Sequence, residues 1–331
     1  MSIYSRGLNG RCVDRSARTC VEVMLPANVH DTRPVDSMKH VRLALALLVI
    51  GSVGAALGLA QTARGPRRYS EDTARSWGTN VPRTAREAES HSVGTPNWTN
   101  TPGFERDAFT FARVQYSVDG SHGWGHSPPE DRWSIDFPDS DLNLSWRLQQ
   151  VTSLKSDPDG RVIKITDKEL FRYPFIYIVE AGKLAFTAEE VPILRRYLLN
   201  GGFLMFDDFW GDKDWESLQE EIKKIFPDRE PVELLLTHPI FHCVVDLPER
   251  PMVPGLPNFL EGKLADKPNI TEASYRGVFD DKGRLMVMIC HNTDLGDGWE
   301  REGENEDYFR AYAEKFAYPM GINILFYAMT H

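Results

Sequence analysis

From residue 106 onward, two hydrophobic periods succeed one another along the chain. Unbroken apolar runs of strand length occur at residues 175–179 (FIYIV), 203–206 (FLMF) and 285–290 (LMVMIC). Runs of that length without alternation suit strands covered on both faces. Residues 109–116 (FTFARVQY) alternate and predict a first strand, and 161–165 and 232–236 predict shorter ones. Between them the spacing turns helical. A helix is expected over 142–154 with Asp141 as its N-cap. A second opens on the capping box Thr187-Ala188-Glu189-Glu190 and carries Leu194, Tyr197 and Leu198. A third, over 215–226, places Leu218, Ile222 and Ile225 on one face and stops at Pro227. The sequence Asp280-Asp281-Lys282-Gly283 reads as a hairpin turn, and the last helix, 307–329, should bend or break at Pro319.

The most informative stretch is RRYLLNGGFLMFDDFWG, residues 195–211. A helix end runs into Asn200-Gly201-Gly202, a glycine C-cap, then into an apolar strand that stops on Asp207-Asp208. Strands alternating with helices imply an α/β three-layer sandwich with a mainly parallel sheet, of flavodoxin-like kind. In such sheets ligands bind beyond the carboxyl ends of the strands. Glu180, Asp207, Asp208 and Asn292 each follow a predicted strand, so they are expected to converge on one rim.

The first hundred residues have no such period. Residues 38–63 combine a basic start, the apolar run 43–60 and small residues at Gly58, Ala60 and Ala63, the make-up of an export signal. The run is also long enough to serve as a membrane anchor through residues 41–60. Residues 1–37 precede that signal and read as a spurious or disordered extension. Residues 64–105, rich in Arg, Ser, Thr, Pro, Gly and Asn, read as a disordered tether, leaving 106–331 as the folded domain. The 331-residue chain carries a net charge of −10, with 25 basic and 39 acidic residues from Arg106 onward. A surface so acidic argues against nucleic acid as a partner, because phosphate recognition needs a basic footprint. An unknown small molecule, a glycan or an envelope protein remain as partners, in an exported, periplasmic or extracytoplasmic setting. Membrane contact is expected only through the N-terminal segment.

Candidate chemistry is sparse. Asp207 and Asp208 could hold a divalent cation, or one could act as a base; capping or pairing with arginine is the plainer reading. His238 and His242 stand four apart in HPIFH, but Pro239 rules out the helical metal motif, so His238 would need a turn to reach the aspartates; the plainer reading is a loop-to-core staple with His238 bonding backbone. His122 and His126 flank Gly-Trp-Gly and would complete a mixed nitrogen and oxygen site with that pair. Arg132, Trp133, Asp136, Asp139 and Asp141 form a polar and aromatic group, either a carbohydrate or peptide platform or a lid with a cap. Asn292, Asp294 and Trp299 follow the strand bearing Cys290. That cysteine and Cys243 lie in apolar contexts where free thiols are the common outcome.

Taken together, RW..DFPDSDLN (132–143), ELFRYPFIYIVEAG (169–182), LRRYLLNGGFLMFDD (194–208), HPIFH (238–242) and NTDLGDGWE (292–300) resemble a bacterial family of exported proteins, domain of unknown function 4159. The resemblance spans about residue 109 to the end and implies a fold like the class I glutamine amidotransferases. It implies no activity. The amidotransferase nucleophile elbow, Gly-x-Cys-x-Gly, occurs nowhere in the chain, so no Cys-His-Glu triad is recognisable and no catalytic residue or cofactor is assigned. The expected function is a non-catalytic ligand-binding or partner-binding module at the acidic rim. A metal-assisted hydrolase of carbohydrate or envelope substrates and a structural envelope component are the alternatives.

Overall fold

A computed structural model describes residues 76–103, 107–118 and 129–331. The export segment, the extension before it, His122 and His126 lie outside the described residues. Seven strands form one sheet in the order β2-β1-β3-β4-β7-β6-β5. They are β1 (Ala112–Val114), β2 (Arg161–Ile163), β3 (Phe175–Val179), β4 (Phe203–Asp207), β5 (Val232–Glu233), β6 (Ser274–Phe279) and β7 (Leu285–His291). The first five in that order run parallel, and β6 and β5 add an antiparallel edge. The fold is mixed α/β with a mostly parallel sheet.

The unbroken apolar runs become the centre of the sheet for the reason their pattern implies. On β3, Phe175, Tyr177 and Val179 enter one apolar core while Ile176 and Ile178 enter another. On β4, Phe203 and Met205 divide from Leu204 and Phe206 in the same way. The first core is closed by Leu144 and Leu148 of α1 (Asp139–Val151), by the short α4 (Leu256–Leu260) and α5 (Leu295–Glu300), and by the C-terminal helices. The second is closed by α2 (Glu190–Leu199) and α3 (Gly211–Ile225) through Leu194, Leu198, Leu218 and Ile222.

Local signals held where they were strongest. In the capping box, Glu190 Oε2 accepts from the Thr187 amide at 2.8 Å and Thr187 Oγ1 accepts from the Glu190 amide at 3.2 Å. Helix α2 ends with Gly201 at φ 103°, the Gly202 amide donating to Tyr197 O and the Gly201 amide to Leu198 O. These two bonds make a Schellman cap. The two glycines are needed for different reasons. Nothing lies near a Cβ at Gly201, whereas a Cβ at Gly202 would fall 2.3 Å from the Tyr197 ring. Gly201→Ala should therefore cost about 1 kcal/mol through the backbone alone, and Gly202→Ala about 1–3 kcal/mol through overpacking. Urea denaturation of both variants checks the order, and equal losses would contradict it.

Other elements differ from the sequence reading. Helix α1 starts at Asp139 without a side-chain cap, because Asp141, the expected N-cap, is fully buried and bonded to Arg113 of β1. The strand expected over 232–236 keeps only two residues. The final helix does not end at Pro319 but changes its winding just before it. Glu306–Tyr308 leads into a π-helical stretch, Phe309–Ala317, and then α6 (Tyr318–Thr330). Pro319 thus follows closely on the π-helical stretch, whose Tyr318 amide bonds Ala313 O in the wider i to i−5 pattern.

Residues 76–103, within the stretch read as a tether, run along the domain. Trp77 stacks on Trp133 at 6.3 Å between ring centroids, and the Trp98 indole donates to Ser156 O at 3.0 Å. Arg86 donates to Pro158 O, and the Val162 amide of β2 donates to Arg83 O. This strap is held by isolated anchors, which leave no hydrophobic period. Among the described residues no helix is long and apolar enough to cross a membrane.

Candidate functional site at the carboxyl rim

Register places the rim. Val179 is opposite Asp207 across β3 and β4, and Phe206 is opposite Ile289 across β4 and β7. The chain therefore leaves all three strands at one edge. Immediately beyond them stand Glu180 at φ 47°, Asp208 at φ 52° and Asn292 at φ 61°. Asp136, in the segment before α1, is at φ 63°. Left-handed backbone at non-glycine residues costs on the order of 1–3 kcal/mol each and gathers at functional sites. All five such residues in the described chain lie in this region, the fifth being Asn269 at φ 68°.

The β4–α3 turn is clamped from the end of β7. The Asn292 amide donates to Phe209 O at 3.0 Å, and Asn292 Oδ1 accepts from the Gly211 amide at 2.9 Å. His291 stacks on Phe209 at 4.8 Å and makes a 3.2 Å bond from Nε2 to Gly211 O. Its Nδ1 faces a guanidinium nitrogen of Arg276 at 3.2 Å. That nitrogen can only donate, so Nδ1 accepts and Nε2 carries the proton. Burial above all lowers the His291 pKa to about 4, which keeps this neutral tautomer.

A cavity of about 750 Å³ opens in front of this turn. Arg132 and Glu180 line it as an ion pair, Lys183 and Asp214 as another at 3.0 Å, and Asp208, Asp212, Lys213, Asp266, Lys267 and Asn269 complete its polar wall. Asp208 accepts from the Trp210 indole at 2.9 Å. Burial, followed by the neighbouring Asp266 and Asp136 carboxyls, holds its pKa well above the ordinary range.

Asp207 turns the other way. It is fully buried, accepting at Oδ2 from the Tyr177 hydroxyl (3.2 Å) and the Gly296 amide (3.0 Å). Burial raises its pKa to about 8, with Asp136 adding to the rise and the Gly296 bond opposing it. Asp294 caps α5 by accepting from the Asp297 amide at 2.8 Å, and burial together with Asp208 and Asp297 pushes its carboxyl up. Asp136 packs against Gly296, where a Cβ would come within 2.2 Å of its Oδ2.

Among the described residues, the carboxylates close enough to share a cation are Asp136, Asp297 and Glu300, whose oxygens lie within 4.8 Å of one another. Arg301 already sits on two of them, at 2.7 Å from Asp297 and 2.9 Å from Glu300. Asp207, Asp208 and His238 are not part of that group.

The model of a family described as Domain of unknown function (DUF4159) matches residues 110–329. The chain belongs to this family. No curated protein matches it.

In this DUF4159 domain the rim thus gathers Arg132, Glu180, Asp208 and Asn292, with Asp136, Asp207 and Asp294 buried behind. Trp133 is fully buried against Trp77 and Phe137, so it offers no exposed platform. His238 does not join the aspartates. Its Nδ1 accepts from the Ile240 amide and its ring packs on Phe279 and Tyr327. Phe279 is opposite Leu285, the first residue of β7, so His238 lies at the amino edge of the sheet. Cys243 and Cys290 are free thiols. The sequence reading missed Lys183, Asp214, Asp266 and Lys267. It also missed Arg113, a cation inside an apolar strand, which announces a buried partner.

Proposed function

We propose that this DUF4159 domain is a ligand-binding module whose site is the rim cavity. The observation that carries the reading is that two left-handed strand-end residues, Glu180 and Asp208, line that cavity together with a third left-handed non-glycine residue, Asn269. Its volume falls within the roughly 300–1,000 Å³ of small-molecule sites. The strand order 2-1-3-4-7 in the parallel part supports a flavodoxin-like arrangement related to the class I glutamine amidotransferases. In that arrangement the crevice between β1 and β3 is the expected binding place, and Arg132 and Glu180 stand there. The chain's lack of a Gly-x-Cys-x-Gly elbow supports binding over glutaminase chemistry.

The test is a thermal-shift screen of small polar ligands with wild type and Asp208→Asn. At least one ligand should raise the wild-type Tm by about 2 °C or more and lose most of that effect in the variant. A set of hits indifferent to Asp208 would count against the site. The export-signal make-up of residues 38–63 supports an extracytoplasmic location, with either cleavage or retention of the segment. Peptide mapping of the native N-terminus tests this, and any peptide from before Met38 would overturn the reading of 1–37 as spurious.

A further inference from the structure

We propose that the rim cavity takes a polyhydroxylated ligand, a saccharide, bound through its vicinal hydroxyls to the Arg132–Glu180 and Lys183–Asp214 pairs. The inference rests on the reading of the cavity as a ligand site and adds the ligand's class.

Charge balance comes first. Four cationic and five acidic side chains line the cavity, and four of the nine are already joined, Arg132 to Glu180 and Lys183 to Asp214. An anion reaching Arg132 or Lys183 would meet the carboxylate paired with it, and a cation reaching Glu180 or Asp214 would meet the paired ammonium or guanidinium. An ion bound at either pair must break it, leaving one charge uncompensated at a partly buried site. A hydroxyl carries one donor and two acceptor lone pairs. Two neighbouring hydroxyls can therefore accept from the cation and donate to the carboxylate together, and the pair survives.

The aromatic residues narrow the class further. Phe209 and Trp210 line the cavity but are only 2% and 4% exposed. The Trp210 N–H is engaged by Asp208, and the Phe209 face is covered by His291. A flat heteroaromatic ligand, such as a nucleobase or flavin, finds no ring on which to stack. Nine of the sixteen lining residues are charged, so a wholly apolar ligand would cover those groups without hydrogen-bonding them. A compact, uncharged molecule dense in hydroxyls fits each of these constraints.

Titration calorimetry on the full chain at pH 7 tests the proposal. The panel is glucose, N-acetylglucosamine, maltose, cellobiose and chitobiose, run against inorganic phosphate, acetate and calcium chloride. A pull-down on insoluble cell-wall glycan separates a free sugar from the end of a polymer as the source. The expected result is binding of at least one saccharide or the glycan, weakened tenfold or more by Glu180→Gln and by Lys183→Gln. Two variants are used so that a folding defect in one leaves the other informative. If phosphate, acetate or calcium binds in a Glu180-dependent manner and no saccharide does, the saccharide proposal is wrong and the ligand-site reading stands. If nothing on the panel binds, or binding ignores both variants, both are overturned.

Discussion

Replacing Arg113 by methionine should destabilise the domain by about 3–5 kcal/mol, the range for removing one partner of a buried ion pair. Arg113 and Asp141 are both fully buried. The guanidinium donates from Nε to both Asp141 oxygens, at 3.0 and 3.1 Å, and from its terminal nitrogens to Trp133 O, Ile135 O, Ser140 Oγ and Asp141 Oδ1. One side chain therefore satisfies two carbonyls of the 129–138 segment and a carboxylate at the start of α1. Methionine fills similar volume but leaves the carboxylate and carbonyls without their donor. Arg113→Met/Asp141→Leu should recover more than half of the loss, because apolar replacement of a whole buried pair is often neutral. Urea denaturation gives both values. The segment Arg113 holds also carries Arg132 into the cavity wall, so ligand affinity should fall in the single variant even where it remains folded. A loss below about 1 kcal/mol would show that the pair is not a keystone of this edge.

How far the fold could be read beforehand depended on the range over which each signal acts. Residues 187–208 were legible because their determinants are local. The capping box spans four residues, the Schellman cap lies within six, and the following strand is apolar without interruption. The carboxyl rim followed from those strands, since in a parallel sheet every strand delivers its last residue to the same edge. Where a determinant lay far off in sequence, the reading failed. Asp141 resembles an N-cap until Arg113, 28 positions upstream, is known to claim it. A turn would have to bring His238 to Asp207, and the plainer reading, a loop-to-core staple with His238 bonding backbone, is the one the structure bears out. The antiparallel β6 reverses the chain and carries the neighbourhood of His238 to the opposite edge. The strap was unreadable for a different reason. Trp77, Arg86 and Trp98 dock singly, and single anchors generate neither helical nor strand period.

The same distinction separates the two aspartates. Adjacent in sequence, Asp207 and Asp208 looked interchangeable, yet the pleat sends successive side chains of a strand to opposite faces. Asp207, the last residue of β4, reaches Tyr177 and Gly296 within the core above α5, while Asp208 leaves the strand in left-handed conformation and borders the cavity. A ligand in the cavity therefore meets Asp208, and Asp207 bears on the stability of the rim.

That stability should depend on pH through Asp207. In the folded domain its pKa is about 8, against about 3.9 for an aspartate in an unfolded chain. Below about pH 4 both states are protonated and burial of the carboxyl carries no charge penalty. Between about pH 4 and 8 the folded state holds a proton that the unfolded state has released, so stability falls as pH rises. One titrating group contributes a slope of about 1.4 kcal/mol per pH unit, and the loss is complete once pH has passed the folded pKa. Asp208 and Asp294, also raised by burial, contribute in the same direction. Asp207→Asn keeps an acceptor for Tyr177 and Gly296 and carries no titratable proton. The variant should therefore show a slope shallower by about 1 kcal/mol per pH unit between pH 5 and 8 and be more stable than wild type by about 2 kcal/mol or more at pH 8. Urea denaturation at pH 5, 6.5 and 8 measures both quantities. Parallel pH profiles for the two proteins would mean that Asp207 ionises normally, with a compensating cation or solvent reaching it at the base of the rim.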